Sequence, residues 1–161
     1  MSRSPRIILL ALVALVAAMA FAATASADAP KFHAANSAVN NAGALVASWD
    51  ERGLGNTNID YTLTADAQAV FACLNGGGNH PQAANKETIN AEVSANGSFE
   101  PKNGRVQASL TAGPPSAGSF SCPNGQRLVL ASVAYTNIVL TDTTNGVTAN
   151  LPDASRVFFA V

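Results

Sequence analysis

Ile89-Asn-Ala-Glu-Val-Ser-Ala-Asn-Gly-Ser-Phe-Glu-Pro-Lys-Asn-Gly-Arg-Val-Gln-Ala-Ser-Leu-Thr-Ala112 is the stretch on which the fold class turns. Its apolar residues fall at odd positions from Ile89 to Phe99 and at even positions from Val106 to Ala112. Each half therefore alternates with the two-residue period of a half-buried strand. The phase passes through Asn96-Gly97 unbroken, so that pair lies inside one strand, with Gly97 marking a bend or bulge. Pro101-Lys-Asn-Gly104 supplies the turn, because Asn and Gly both tolerate positive φ. The expectation is a hairpin that sets Glu100 opposite Arg105, Phe99 opposite Val106, Ala95 opposite Leu110 and Val93 opposite Ala112. One face would be apolar and the rim pair oppositely charged.

Working outward, three more Asn-Gly pairs begin at Asn75, Asn124 and Asn145. Short apolar or alternating runs lie between these pairs. They predict strands near 44–49, 58–64, 68–74, 88–100, 105–112, 127–135, 138–144, 147–151 and 156–161. Residues 29–43 read equally as strand, loop or short helix. A second hairpin is expected at Asn145-Gly146, with Thr144 opposite Val147 and Leu140 opposite Leu151, ended by Pro152, which has no N–H to donate. Helical i, i+3, i+4 periodicity is missing after the N-terminal apolar run. Nine short strands at this spacing predict an all-β, antiparallel β-sandwich, immunoglobulin-like or a related Greek key.

The N-terminal run reads as an export signal spanning residues 1–27. Arg3 and Arg6 begin it, Ile7 to Ala23 is apolar, and Ala25-Ser-Ala27 offers small residues for cleavage. The expected mature chain is a single secreted domain, 28–161. Without Arg3 and Arg6, seven Lys/Arg face ten Asp/Glu, a net charge of −3. The sequence holds no Lys/Arg run, so neither nucleic acid nor, after signal cleavage, a membrane is expected as a partner. About a third of the mature chain is Asn, Gly, Ser or Thr, a mixture that favours strands and turns over helices.

Motifs that carry chemistry are scarce, and no cofactor is expected. His33, His80, Cys73 and Cys122 show no zinc-ligand spacing, and Asp142-Thr-Thr-Asn-Gly146 lacks the alternating ligands of a calcium loop, so no metal is expected. Gly113-Pro-Pro-Ser-Ala-Gly118 lacks nucleophile-elbow spacing, and Gly53-Leu-Gly55 lacks a dinucleotide-binding context. Asp50, Glu51, Asp60, Asp66 and Glu100 are each read as solvated surface charge, although two carboxylates across a cleft could hydrolyse a glycoside. Tyr61 alternates with Ile59 and Leu63 and is expected to point inward. Trp49 is the candidate aromatic contact for a sugar, expected to be half buried. The sequon Asn96-Gly-Ser98 falls on the outward phase.

Asn75, Gly76, Gly77, Gly78, Asn79, His80 and Pro81 form the candidate binding loop, alternatively a plain connection between sheets. Cys73 and Cys122 are expected to form one disulfide, since export exposes both thiols to an oxidising compartment and only one intramolecular pairing exists. That bridge is expected to join two sheets at the loop end.

Four runs carry a resemblance: Gly55-Asn-Thr-Asn-Ile-Asp-Tyr-Thr-Leu-Thr64, Asn75-Gly-Gly-Gly-Asn-His-Pro81, Phe99-Glu-Pro-Lys-Asn-Gly-Arg105 and Ser121-Cys-Pro-Asn-Gly-Gln-Arg127. Together they resemble small secreted proteins of filamentous actinobacteria that have no assigned activity. The resemblance implies export and supplies no catalytic residue. The two cysteines 49 positions apart also resemble the pair of immunoglobulin-like sandwiches, with Trp49 preceding Cys73 instead of following it. The expected function is a secreted non-enzymatic module that binds an extracellular protein or polysaccharide. The alternatives are an extracellular hydrolase using carboxylates or His80, and an inhibitor acting through the 75–81 loop.

Overall fold

Eight strands make two antiparallel sheets packed face to face in the computed structural model, which describes residues 29–75 and 85–161. Strands β1 (Lys31–Val39), β2 (Leu45–Arg52) and β5 (Arg105–Ala112) form one sheet in the order β1-β2-β5. The other runs β4-β3-β6-β7, from β3 (Ile59–Asn75), β4 (Lys86–Phe99), β6 (Gln126–Asp142) and β7 (Val147–Asn150), with β8 (Ala154–Val157) also on β6. The fold is a β-sandwich, and the ambiguous segment 29–43 contributes an edge strand. Among the described residues no helix is long and apolar enough to cross a membrane.

The inward faces follow the alternation. Leu45, Ala47 and Trp49 on β2 meet Tyr61, Leu63, Ala65, Ala67 and Ala69 on β3 and Val133, Tyr135, Ile138 and Leu140 on β6 in one buried cluster. The Tyr135 hydroxyl spans the two layers and donates to the Gly43 carbonyl at 2.7 Å.

The first expected hairpin is corrected by the structure. The turn forms, with Asn103 at φ 53°, Gly104 at φ 71°, and Lys102 and Arg105 exchanging backbone hydrogen bonds at 2.8 and 3.2 Å. The ladder stops there, because Pro101 has no N–H to extend it. β4 then pairs with β3, and β5 pairs with β2 in the opposite sheet. Val93, Phe99, Val106 and Leu110 do share the apolar interior, but across it instead of side by side. A hairpin and a corner between sheets require the same alternation, so the pattern alone does not separate them.

Two pairs of expected strands are single long ones, and with β1 added this gives eight strands in place of nine. In β6, Tyr135 and Ile138 both face inward although three apart, and that phase break reads as a strand end. The extra residue is taken up by a bulge at Asn137, which sits at φ 50°, a conformation Asn tolerates. In β3, Ala and Asp around position 66 have low strand propensity, and two flanking strands override it. The second hairpin exists, but its register moves by two residues, with Leu140 opposite Ala149 and Asp142 opposite Val147. An even shift preserves every side chain's face, so the alternation could not detect it.

Cys73 and Cys122 are bonded, with Cα atoms 5.5 Å apart. Cys122 lies in the 113–125 connection and not on a strand. The bridge therefore ties the end of β3 to the crossover between the sheets, where a bridge from sheet to sheet was expected.

Candidate functional site

Alternation along β2 carries on past Trp49, so Glu51 is the next inward residue and is fully buried. Its reading as a solvated charge is thereby overturned. The inward phase of β6 likewise ends on Asp142, also fully buried. The Tyr61 hydroxyl, from β3, donates to Glu51 Oε2 at 2.7 Å. Glu51 Oε1 has no donor. Asp142 accepts the amides of Thr144 at 2.8 Å and Asn145 at 2.9 Å on Oδ1, and the Asn145 side-chain amide at 2.6 Å on Oδ2. That set of donors fits an acceptor-only carboxylate.

The Asp142 carboxylate lies near Glu51. Burial chiefly pushes the Glu51 carboxyl up to about 7; the Tyr61 bond opposes the rise and Asp142 adds to it. Burial, and then the Glu51 contact, push the Tyr61 phenol upward as well. Trp49 packs on Tyr61 with ring centres 4.7 Å apart and meets Phe99 edge-on at 5.4 Å. Its indole N–H approaches the Tyr61 hydroxyl without a well-formed hydrogen bond. At 5% exposure, Trp49 is a core residue and offers no surface to a sugar. This carboxyl pair is sealed between the sheets, so its chemistry is that of a structural proton.

Polar groups open to solvent lie on the outward sheet faces. On the larger sheet, β3 and β4 place Asp66 directly opposite Glu92 and Gln68 opposite Asn90. With Thr136 of β6 these line a depression of about 410 Å³ floored by Ala67, Ala91 and Ala134. Asn137 donates to Asp66 Oδ2 at 2.8 Å and Gln68 to Asn90 Oδ1 at 3.1 Å, so the side chains are partly oriented in advance. Like charges directly opposed across a ladder oppose folding, and Asp66 and Glu92 stand in that relation here. Asp60 and Asn96 are exposed on the same face, as the alternation implied. Sequence reading missed Glu92 and Asn90; their alternation with Ala91 and Val93 was the available signal, but strand partners were not.

Asp50 is outward and only 13% exposed, gripped by Arg105 through Nε at 2.7 Å and Nη2 at 2.8 Å and by Arg52 at 2.9 Å. The Arg105 bond, then the Arg52 bond, hold its carboxyl well below the usual range. Glu100 is exposed. His33 is exposed at a bulge in β1. Of the candidate loop only Asn75 belongs to the described residues, exposed at the end of β3; Gly76, Gly77, Gly78, Asn79, His80 and Pro81 lie outside them. No three His, Cys, Asp or Glu side chains converge as metal ligands among the described residues.

No protein-family model matches the chain, and no curated protein or solved structure matches it either.

Proposed function

We propose that the chain is an exported, non-enzymatic binding module whose β4-β3-β6 outer face takes a polyhydroxylated ligand, an extracellular polysaccharide. The single observation that carries this reading is the shallow depression lined by Asp66, Gln68, Asn90, Glu92 and Thr136 on a rigid three-strand platform. Carboxylate and amide oxygens there can accept from sugar hydroxyls, and amide N–H groups can donate to ring and hydroxyl oxygens. A ligand supplying donors to Asp66 and Glu92 would also relieve their mutual repulsion. The N-terminal apolar run and the oxidised cysteine pair support export and an extracellular role.

The test is sedimentation of the mature domain with insoluble cellulose, chitin and cell-wall preparations. Binding to at least one is expected, and Glu92→Gln combined with Asn90→Ala should weaken it about tenfold, the effect of losing roughly 1.4 kcal/mol. Binding to none of them, or binding untouched by the double substitution, would contradict the assignment.

A hydrolase is the second reading, favoured by the directly opposed carboxylates of Asp66 and Glu92. Release of reducing sugar from the bound polymer, lost in Glu92→Gln, would decide for it.

A further inference from the structure

The strand registers assemble a row of four cations that are scattered in the sequence. Lys31 of β1 is the cross-strand partner of Arg52 of β2, Arg52 is the partner of Arg105 of β5, and Arg105 is the partner of Lys102 across the tight turn. Directly paired residues share a face, so all four line up across one end of the outer face of the three-stranded sheet. At the usual spacing between strands the row is about 14 Å long. Four of the seven Lys/Arg beyond Arg6 stand in it. On the opposite side of the sandwich, the outer face from Asp60 to Gln68 and from Asn90 to Ser98 carries Asp60, Asp66 and Glu92 and no Lys or Arg.

Three successive like-charge pairs work against folding, and among the described residues only Asp50 forms ion pairs with them, answering two of the charges. Asp50 also holds the two guanidiniums in place while leaving each with N–H groups to spare, since a guanidinium has five. Two open depressions flank it. One, of about 480 Å³, is lined by Lys31, His33 and Arg52; the other, of about 390 Å³, by Phe99, Glu100, Lys102, Arg105 and Gln107. Next to the cations the same face continues with Gln107, then with the row of Asn36, Ser48 and Ser109, all exposed neutral donors and acceptors. No Phe, Tyr or Trp shares this outward phase on β1, β2 or β5, and the only rings at the row are His33 and Phe99 in the lining of the two depressions.

We infer that the Lys31–Arg52–Arg105–Lys102 row is a binding site for an acidic polysaccharide, its carboxylates on the cations and its hydroxyls on the neutral rows. This site is separate from the Asp66–Glu92 depression, and either can fail without the other. The experiment is affinity electrophoresis of the mature domain through gels containing polygalacturonate, dextran or a single-stranded oligonucleotide. Retardation is expected in polygalacturonate, weakened at least tenfold at 0.5 M salt, where charge interactions are screened, and not in dextran. Lys31→Gln combined with Arg52→Gln should lower that affinity at least tenfold. Arg127→Gln combined with Arg156→Gln, an equal charge change elsewhere, and Glu92→Gln combined with Asn90→Ala should leave it unchanged. Melting curves of all three double variants confirm that each is folded. Equal loss in the two arginine-bearing double variants, no retardation in polygalacturonate, or tighter binding to the oligonucleotide would overturn the inference.

Discussion

Burial of Glu51 makes the stability of the interior depend on a proton. Its Oε2 accepts from the Tyr61 hydroxyl, and burial lifts its pKa from the ordinary 4.5 to about 7. The folded state therefore binds this proton more tightly than the unfolded chain does. Its contribution is complete below about pH 4.5 and is lost as pH rises through about 7. The melting temperature is expected to fall between pH 5 and pH 8, on the order of 2 kcal/mol of stability. Glu51→Gln keeps an acceptor for Tyr61 without a titrating proton. That variant should melt independently of pH across the window and above the parent at pH 8; a parent curve that is flat or rises from pH 5 to 8 would dismiss the raised Glu51 pKa. Tyr135→Phe removes the hydroxyl that bonds the Gly43 carbonyl across the layers. Leaving that carbonyl unmet should destabilise by about 1–3 kcal/mol, measured by urea unfolding.

At the scale of elements, the long alternations were readable and the partnerships were not. Apolar phase defines β4 and β5 almost to the residue, since each has one face in the core. Which strand lies beside which depends on Pro101 ending a ladder after one bridge, a tertiary outcome that the same alternation permits either way. Phase also hid the continuity of β6, because the Asn137 bulge looks like a strand boundary, and the two-residue slip at β7, because it moves no side chain to the other face. In the candidate site, the inward course of Tyr61 and the outward course of Asp60 and Asn96 were legible from parity. The burial of Glu51 was equally present in parity but hidden by its charge. The cysteine pairing was legible from count alone, its placement in the 113–125 connection was not. That bridge closes a loop with a separation of 49 residues. Replacing both cysteines with alanine is expected to cost roughly 4 kcal/mol in the loop-entropy account. Equilibrium unfolding checks this, and a loss under 1 kcal/mol would show that the crossover is held by packing alone.

For the whole molecule, the two candidate sites lie on the outer faces of opposite layers. The three-stranded sheet carries a line of cations at one end, and the five-stranded sheet carries carboxylates and amides. Both are built on strands, which position side chains more firmly than loops do, and the interior between them is closed. The most direct measurement of the proposed function is an amide NMR map of the mature domain titrated with soluble xylan, chitin and cell-wall glycan fragments. At least one fragment should shift the amides of Asp66, Gln68, Asn90, Glu92 and Thr136 together, with Leu63 and Leu140 in the core unmoved. No shift at these residues with any fragment at millimolar concentration, or shifts with neutral fragments gathered elsewhere on the molecule, would contradict the proposed site.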